Sequence, residues 1–317
     1  MGKYLVKRIL LLIPTFLLVC VIVFALMRMI PGSAVDSMVT KLANAGVSTD
    51  RAAVEASLGL DQPPVKQFFV WLFRVLRGDL GESLFMYESV SDILARRLPV
   101  TLELGILTVL LSCIIAIPCG LLCAARQDSV GDYILRVISI LLLSIPVFWI
   151  ATIVIIYPAV LWGYSPPTNY VSFFKEPGTN LRMVLIPALL GAFGQSGMLM
   201  RTVRTVTLDV MRQDYVRTGW AKGLSERKVI LRYAFRNSMI PVITQIGGSI
   251  ASLVGGSVVL ENIFSIPGMG QVVVSALNSR DYPLVQGCVI VFALFVMVVN
   301  LIVDIAYKWI DPRVNLE

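Results

Sequence analysis

The 317 residues contain no histidine, and only 15% of them carry a charge. The first absence excludes histidine-based catalytic triads and histidine metal ligands within this chain, and it argues against a serine hydrolase or a metalloenzyme. There is no G-x-x-x-x-G-K-[ST] phosphate loop, so the chain is not itself an ATPase. No serine–lysine dyad offers a substitute nucleophile. Cysteine is sparse: Cys20, Cys113, Cys119, Cys123 and Cys288 lie in apolar runs rather than at metal-ligand or secreted-framework spacing, as small packing residues do. No catalytic residue, no metal ligand and no bound cofactor is assigned to the chain.

Hydrocarbon is what the sequence has in excess. With 57% hydrophobic residues and a mean hydropathy of +0.81, it lies far from soluble domains, in which about a quarter of residues are charged. It reads as an all-α integral membrane protein. Lys3, Lys7 and Arg8 precede the apolar run Ile9 to Leu26, which, with Met27, Met29 and Ile30, is long enough to cross about 30 Å of hydrocarbon. The run exceeds the core of a cleavable signal and is expected to be a retained first span with its amino terminus inside. Further apolar segments cover Val100 to Ala124, Tyr133 to Leu161, Met183 to Met200, Met239 to Leu260 and Val285 to Tyr307. Six spans place both termini in the cytoplasm. Pro118, Pro146, Pro158 and Pro187 fall in or near span interiors, where each removes a backbone hydrogen bond and permits a kink.

Between the first two spans, residues 31–98 are expected outside the cytoplasm. Ser48 or Thr49 is placed to cap a short helix that runs through Val54 and stops at Gly59. After it, Val65, Phe68, Phe69, Leu72, Phe73 and Leu76 recur at helical spacing, with Lys66, Arg74 and Arg77 mostly opposite, so this helix should lie at the membrane surface or against the bundle. Val90, Ile93, Leu94 and Leu98 repeat the pattern.

The most basic stretch runs from just before Asp209 to Pro241. Arg201, Arg204, Arg212, Arg217, Lys222, Arg227, Lys228, Arg232 and Arg236 face only Asp209, Asp214 and Glu226, which makes it cytoplasmic by the positive-inside rule. The spacing predicts a helix from Leu208 to Lys222 stopped by Gly223, then a second helix capped by Ser225, with Glu226 in its first turn and Val229, Ile230, Tyr233 and Ala234 as its apolar stripe. The bend exposes Trp220, Leu224 and several cations, a surface suited to another protein. A solvated basic loop that only fixes topology is the plainer alternative. A helix-turn-helix for DNA fits poorly, because hydrophobic spans begin directly on both sides, and no nucleic-acid partner is expected.

Within this stretch, YVRTGWAKGLSERKVILRYAFRNSMIPV resembles the cytoplasmic coupling motif of binding-protein-dependent ABC importer permeases, a Glu-Ala-Ala triplet before a glycine and, further on, an apolar residue and proline. Gly223, Ile240 and Pro241 match. Arg217, Thr218 and Gly219 hold the triplet positions with other letters, as the peptide and nickel branch usually does. LGLDQPPVKQF, WLFRVLRGDLGES, RRLPVTLEL, ENIFSIPGMG, RDYPLVQG and the ending NLIVDIAYKWIDPRV resemble the dipeptide and oligopeptide permeases, while IPGSA departs at Ser33 and Ala34 from the usual IPGDP. The resemblance covers nearly the whole chain.

This resemblance implies the type I importer (MetI-like) permease fold and a B-type subunit paired with a paralogous permease. Two separate ABC ATPase subunits would carry ATP and Mg, a solute-binding protein would deliver cargo outside, and the complex would sit in the lipid bilayer of a bacterial or archaeal cell membrane. The docking site for the ATPase would be Arg217, Thr218, Gly219, Trp220, Ala221, Lys222, Gly223, Leu224 and Ser225. A loop of Glu261, Asn262, Ile263, Phe264, Pro267, Gly268 and Gly270 would face the binding protein.

Gln195, Ser196, Gln245, Ser249, Ser252 and Ser257 are polar positions in the fourth and fifth spans; singly they read as helix–helix glue, and as a group they read as a hydrophilic path. Asp304 reads either as a proton relay or as half of an ion pair with Lys308. The domain reading is a first span over 1–30, an extracytoplasmic segment over 31–98, a five-span core over 99–308 containing the coupling loop 201–236, and a tail over 309–317. The alternative function is an ion-coupled secondary transporter, for which the chain offers chiefly Asp304 and no clear repeat. Peptides, nickel chelates, glutathione and sugars all stand as cargo classes of this branch.

Overall fold

The computed structural model describes residues 2–29, 34–44, 50–57, 61–164, 167 and 169–310. Among these residues there is no strand, only an isolated antiparallel bridge between Glu82 and Ser89. The helices are α1 (Gly2–Met29), α2 (Ala34–Asn44), α3 (Arg51–Ser57), α4 (Pro64–Leu76), α5 (Val90–Ala125), α6 (Val130–Ser144), α7 (Val147–Trp162), α8 (Pro177–Met211), α9 (Asp214–Ala221), α10 (Glu226–Lys228), α11 (Met239–Ile263), α12 (Met269–Ser279) and α13 (Tyr282–Ile310). Segments of α1 and α13, and all of α5 and α8, are long and apolar enough to cross a membrane unbroken. Two bent pairs bring the count to six when each is taken as one span.

The third expected span is therefore not one helix. α6 and α7 meet at 86°. Ile145 is extended and Pro146, lacking an N–H, stands as the N-cap of α7, so α6 stops at Ser144 and α7 begins at Val147. The fifth span bends by 53° between Leu253 and Gly255, beside a glycine pair, where helices yield most easily.

The chain divides into two compact units, one of Met1–Val100 with Pro267–Met297 and one of Thr101–Ile266 with Val298–Glu317. In the first, Met27, Val90, Ile93, Leu94, Met269, Val272, Leu284 and Cys288 form the core. Val90, Ile93 and Leu94 do not belong to a separate surface helix, since they open α5 itself. Asp50 accepts the Ala52 N–H through its side chain at the start of α3, while Ser48, Thr49 and Gly59 lie outside the described residues.

The RDYPLVQG run has a structural explanation in this unit. Arg280 takes the left-handed conformation that ends α12, and the buried Asp281 accepts the Leu284 N–H at 3.3 Å, capping α13. Its other oxygen accepts the Ser83 hydroxyl. Gly287 lies so close to Val90 that a Cβ would come within 2.5 Å of its Cγ1. Asp281→Ala removes a cap and strands a buried hydroxyl, at an expected cost of about 1–3 kcal/mol. A melting temperature of the solubilised protein equal to wild type would contradict this role.

The second unit is built on α8, which packs against α6, α7 and α11. Gly197 makes the α6 contact possible, because a Cβ there would lie 2.8 Å from the Ser139 carbonyl oxygen. At the same seam Arg204 on α8 forms a bidentate pair with the buried Asp132, Nε to Oδ1 at 2.8 Å and Nη2 to Oδ2 at 2.7 Å. The Asp128 N–H adds a third hydrogen bond to that carboxylate at 3.1 Å. Nothing local in the sequence signals this pairing.

Candidate functional site

The segment after α8 is folded as a helix clamped along one narrow face. Val216 and Gly219 of α9 are buried, and Val229, Ile230 and Ala234 are the buried residues facing inward from the following helical run. A Cβ on Gly219 would stand 3.8 Å from both Leu224 Cδ1 and Val229 Cγ2, so the two helices approach to ordinary contact distance.

At its end, the Gly223 N–H donates to the Trp220 carbonyl at 2.9 Å and the Leu224 N–H to the Gly219 carbonyl at 3.3 Å. That is the paired closure of a Schellman motif, with Leu224 packed back on the last turn. Gly223 has φ +71°, as the motif requires. The remaining surface of α9 is open, with Tyr215 44% and Trp220 42% exposed beside Arg217, Thr218, Ala221 and Lys222.

Three details differ from the sequence expectation. The helix expected from Leu208 to Lys222 breaks at Arg212–Gln213, where Gln213 is extended and caps α9. No glycine or proline marks that break, and the only local sign is Asp214 in the first turn of α9, where a carboxylate suits the dipole. Leu224 is half-buried, closing the Schellman turn while part of its side chain stays at the surface. Ser225 holds the N-cap position of α10 by its backbone, but its side chain makes no capping bond.

Beyond α10 the chain continues through a π-helical stretch, Val229–Ala234, and a 3-10 turn, Phe235–Ser238, into α11. Pro241 has no N–H to give the preceding turn, and the irregular turns lie directly before it, where Asn237 Nδ2 donates to the Tyr233 carbonyl at 2.7 Å.

The stretch expected to form a loop at Glu261 to Gln271 is largely inside. Glu261, Asn262 and Ile263 end α11, and α12 begins at Met269, leaving a short turn over 264–268. Glu261, Phe264, Ile266, Gly268, Met269 and Gly270 are buried, Ile263 and Pro267 are half-buried, and only Asn262 and Ser265 in 261–270 are exposed. Alternating burial in the turn, not composition, decides this. Glu261 is held by the Thr101 hydroxyl at 2.7 Å and the Ser257 hydroxyl at 2.9 Å.

The polar residues of the fourth and fifth spans separate into two groups. Ser196 is buried and donates within α8 to the Phe193 carbonyl at 2.8 Å, and Ser257 donates within α11 to Glu261, so both are buried and bonded inside their own helices. Gln195 keeps a buried amide oxygen without a hydrogen-bond partner. Gln245 and Ser249 are half-buried, while Thr244, Gly248, Ser252, Gly255 and Gly256 share an exposed strip of α11. Thr244 and the glycines were not singled out from the sequence, although their near four-residue spacing was visible. Asp304 is half-buried, and the side chain of Lys308 lies outside the described residues.

Comparison with known proteins gives one consistent result. Residues 116–316 match the family described as binding-protein-dependent transport system inner membrane component, and residues 1–105 match its N-terminal counterpart. A putative peptide transport system permease protein of Brucella suis biovar 1 (strain 1330) is 37% identical over 318 residues, covering 100% of both chains. The dipeptide transport system permease protein DppB of Escherichia coli (strain K12) is 33% identical over 339 residues, covering 99% of both. Among solved structures, a chain of the MetNI methionine ABC transporter, crystallised in inward-facing conformations, aligns with a TM-score of 0.54 at 14% identity, covering 69% of this chain and 96% of that one.

Proposed function

Because this chain belongs to the binding-protein-dependent transport inner membrane component family, as an ABC importer permease, we propose that it forms, with a paralogous permease, the path for peptides delivered by a solute-binding protein. Peptide cargo is favoured by the relatives' names. The ion-coupled alternative is set aside by family membership. ATP and Mg bind partner subunits, and the chain itself is not catalytic.

The observation that carries this reading is α9. It is clamped through Val216 and Gly219, closed by Gly223, and leaves an aromatic and cationic face open. Such a face suits an ATPase groove, with Arg217, Thr218, Trp220, Ala221 and Lys222 as the contacts and Leu224 and Ser225 shaping the turn. Asn262 and Ser265 are the positions of the 261–270 stretch left to meet the binding protein. The exposed strip of α11, with Ser252 and the half-buried Gln245, Ser249 and Gln195 nearby, supplies small and polar surface for the path.

The proposed orientation has both termini and the 201–236 segment in the cytoplasm, with 31–98 outside, 99–308 as the core and 309–317 as a cytoplasmic tail. An impermeant thiol reagent on intact cells is therefore expected to label Asn278→Cys and not Ser225→Cys; the reverse pattern refutes the orientation.

Function is tested by reconstituting the permease pair with its ATPases and binding protein in proteoliposomes. Peptide uptake is expected to require ATP. Uptake driven by an ion gradient without ATPases contradicts the reading.

A further inference from the structure

The surface helix α4 divides into three faces. Phe68 and Trp71 pack on Phe24 of α1 with ring centroids 5.3 and 5.7 Å away, and Leu72 and Val75 are buried. A quarter turn round, Val65, Phe69, Phe73 and Leu76 form a continuous stripe, 67%, 51%, 60% and 58% exposed. On the far side stand Lys66, Arg74 and Arg77, all exposed, and α4 carries no acidic residue. Among the described residues nothing covers the stripe.

We propose that the lipid bilayer covers it. On this assignment α4 lies half-inserted at the membrane face where α1 ends, with its stripe among acyl chains and its cations at the phosphate level. Three observations commit it to lipid rather than to a protein.

The first is continuity with α1, a membrane-spanning run whose apolar window has a mean hydropathy of 3.1 and is only 11% buried within this chain. The second is depth. Phe24 lies five residues before the end of α1 at Met29, which at 1.5 Å per residue is about 7 to 8 Å. Interfacial helices bury their apolar face about 5 to 10 Å into the headgroup and acyl boundary. The third is charge, since cations without acids complement lipid phosphates. Arg28 fixes the position by bonding Gln67 and stacking over the Phe24 ring at 4.8 Å.

The test uses the complete transporter complex in phosphatidylcholine–phosphatidylglycerol vesicles, with spin labels on Phe69→Cys, Phe73→Cys, Lys66→Cys and Arg77→Cys in a chain whose native cysteines are alanine. Labels at 69 and 73 are expected to collide severalfold more with oxygen than with a water-soluble nickel chelate, and labels at 66 and 77 to show the reverse. Access of the chelate to 69 and 73 overturns the proposal, as does protection from both reagents, the mark of a covering protein. In parallel, benzoylphenylalanine at Phe73 in the chain with its native cysteines should photocrosslink phospholipid. A crosslink to another polypeptide instead overturns the assignment.

Discussion

Gly223→Val is expected to insert and to pair with its partner permease normally, yet to recover less ATPase subunit and to lose most substrate-stimulated ATP hydrolysis. The backbone at Gly223 has φ +71°, and a Cβ built there meets nothing within 4 Å, so the effect is conformational and not a clash. A β-branched residue held in the left-handed region costs about 1 to 3 kcal/mol. The motif can relieve that strain only by opening its two closing hydrogen bonds, which frees Leu224 and lets the exposed face of α9 swing.

The spans are held elsewhere and are expected to remain folded. Gly219→Ala provides the control, because its Cβ enters at 3.8 Å from two side chains, an ordinary contact, and alanine favours the helix by roughly 1 kcal/mol. Its coupled hydrolysis should stay near wild type. If the reconstituted Gly223→Val complex hydrolyses ATP normally in response to substrate, the turn is not part of the link.

The second large effect is expected at Asp132. Asp132→Ala leaves the Arg204 guanidinium, which has a side-chain exposure of 17%, without its bidentate partner at the α6–α8 seam. Breaking a buried ion pair by removing one partner costs about 3 to 5 kcal/mol. Arg136, 3.5 Å from the same carboxylate, also loses its closest acid. Since Arg204 lies two turns before the end of α8, the loss also loosens the helix from which α9 hangs. Asp132→Ala should therefore be recovered in lower yield with a reduced melting temperature, and Asp132→Asn, which keeps an acceptor, should fall between. Wild-type thermal stability for Asp132→Ala would show that the pair does not hold the seam.

The contrast between these two sites shows what sequence discloses. Gly223 was legible because positive φ at a helix end selects glycine by local sterics. Long apolar runs likewise announced α1, α5, α8 and α13, since crossing hydrocarbon leaves a composition signal that packing does not erase. Asp132 and Arg204 were not legible as a pair: they lie 72 residues apart, and nothing local distinguishes a carboxylate that will be buried from one that will be solvated.

The prolines show the same limit. Pro146 separates α6 from α7, whereas Pro158 and Pro187 sit inside helices, so proline alone did not identify the break. At Arg212–Gln213 the helix stops without any breaker, because the burial of Val216 and the approach of Gly219 to Val229 fix where α9 must lie. The motif ENIFSIPGMG suggested an exposed loop through its glycines and proline, but Phe264, Ile266 and Met269 spend those turns burying side chains. RDYPLVQG proved readable in hindsight as a helix cap followed by a close-packed glycine.

The central claim is that the open face of α9 is where a separate ATPase subunit docks. It is tested most directly by placing a photoactivatable benzoylphenylalanine at Trp220 and, as a control, at Asn278 in the assembled transporter. Irradiation should link position 220 to the ATPase subunit and leave position 278 unlinked to it. An assembled, transport-active complex in which position 220 never crosslinks to the ATPase would contradict the account.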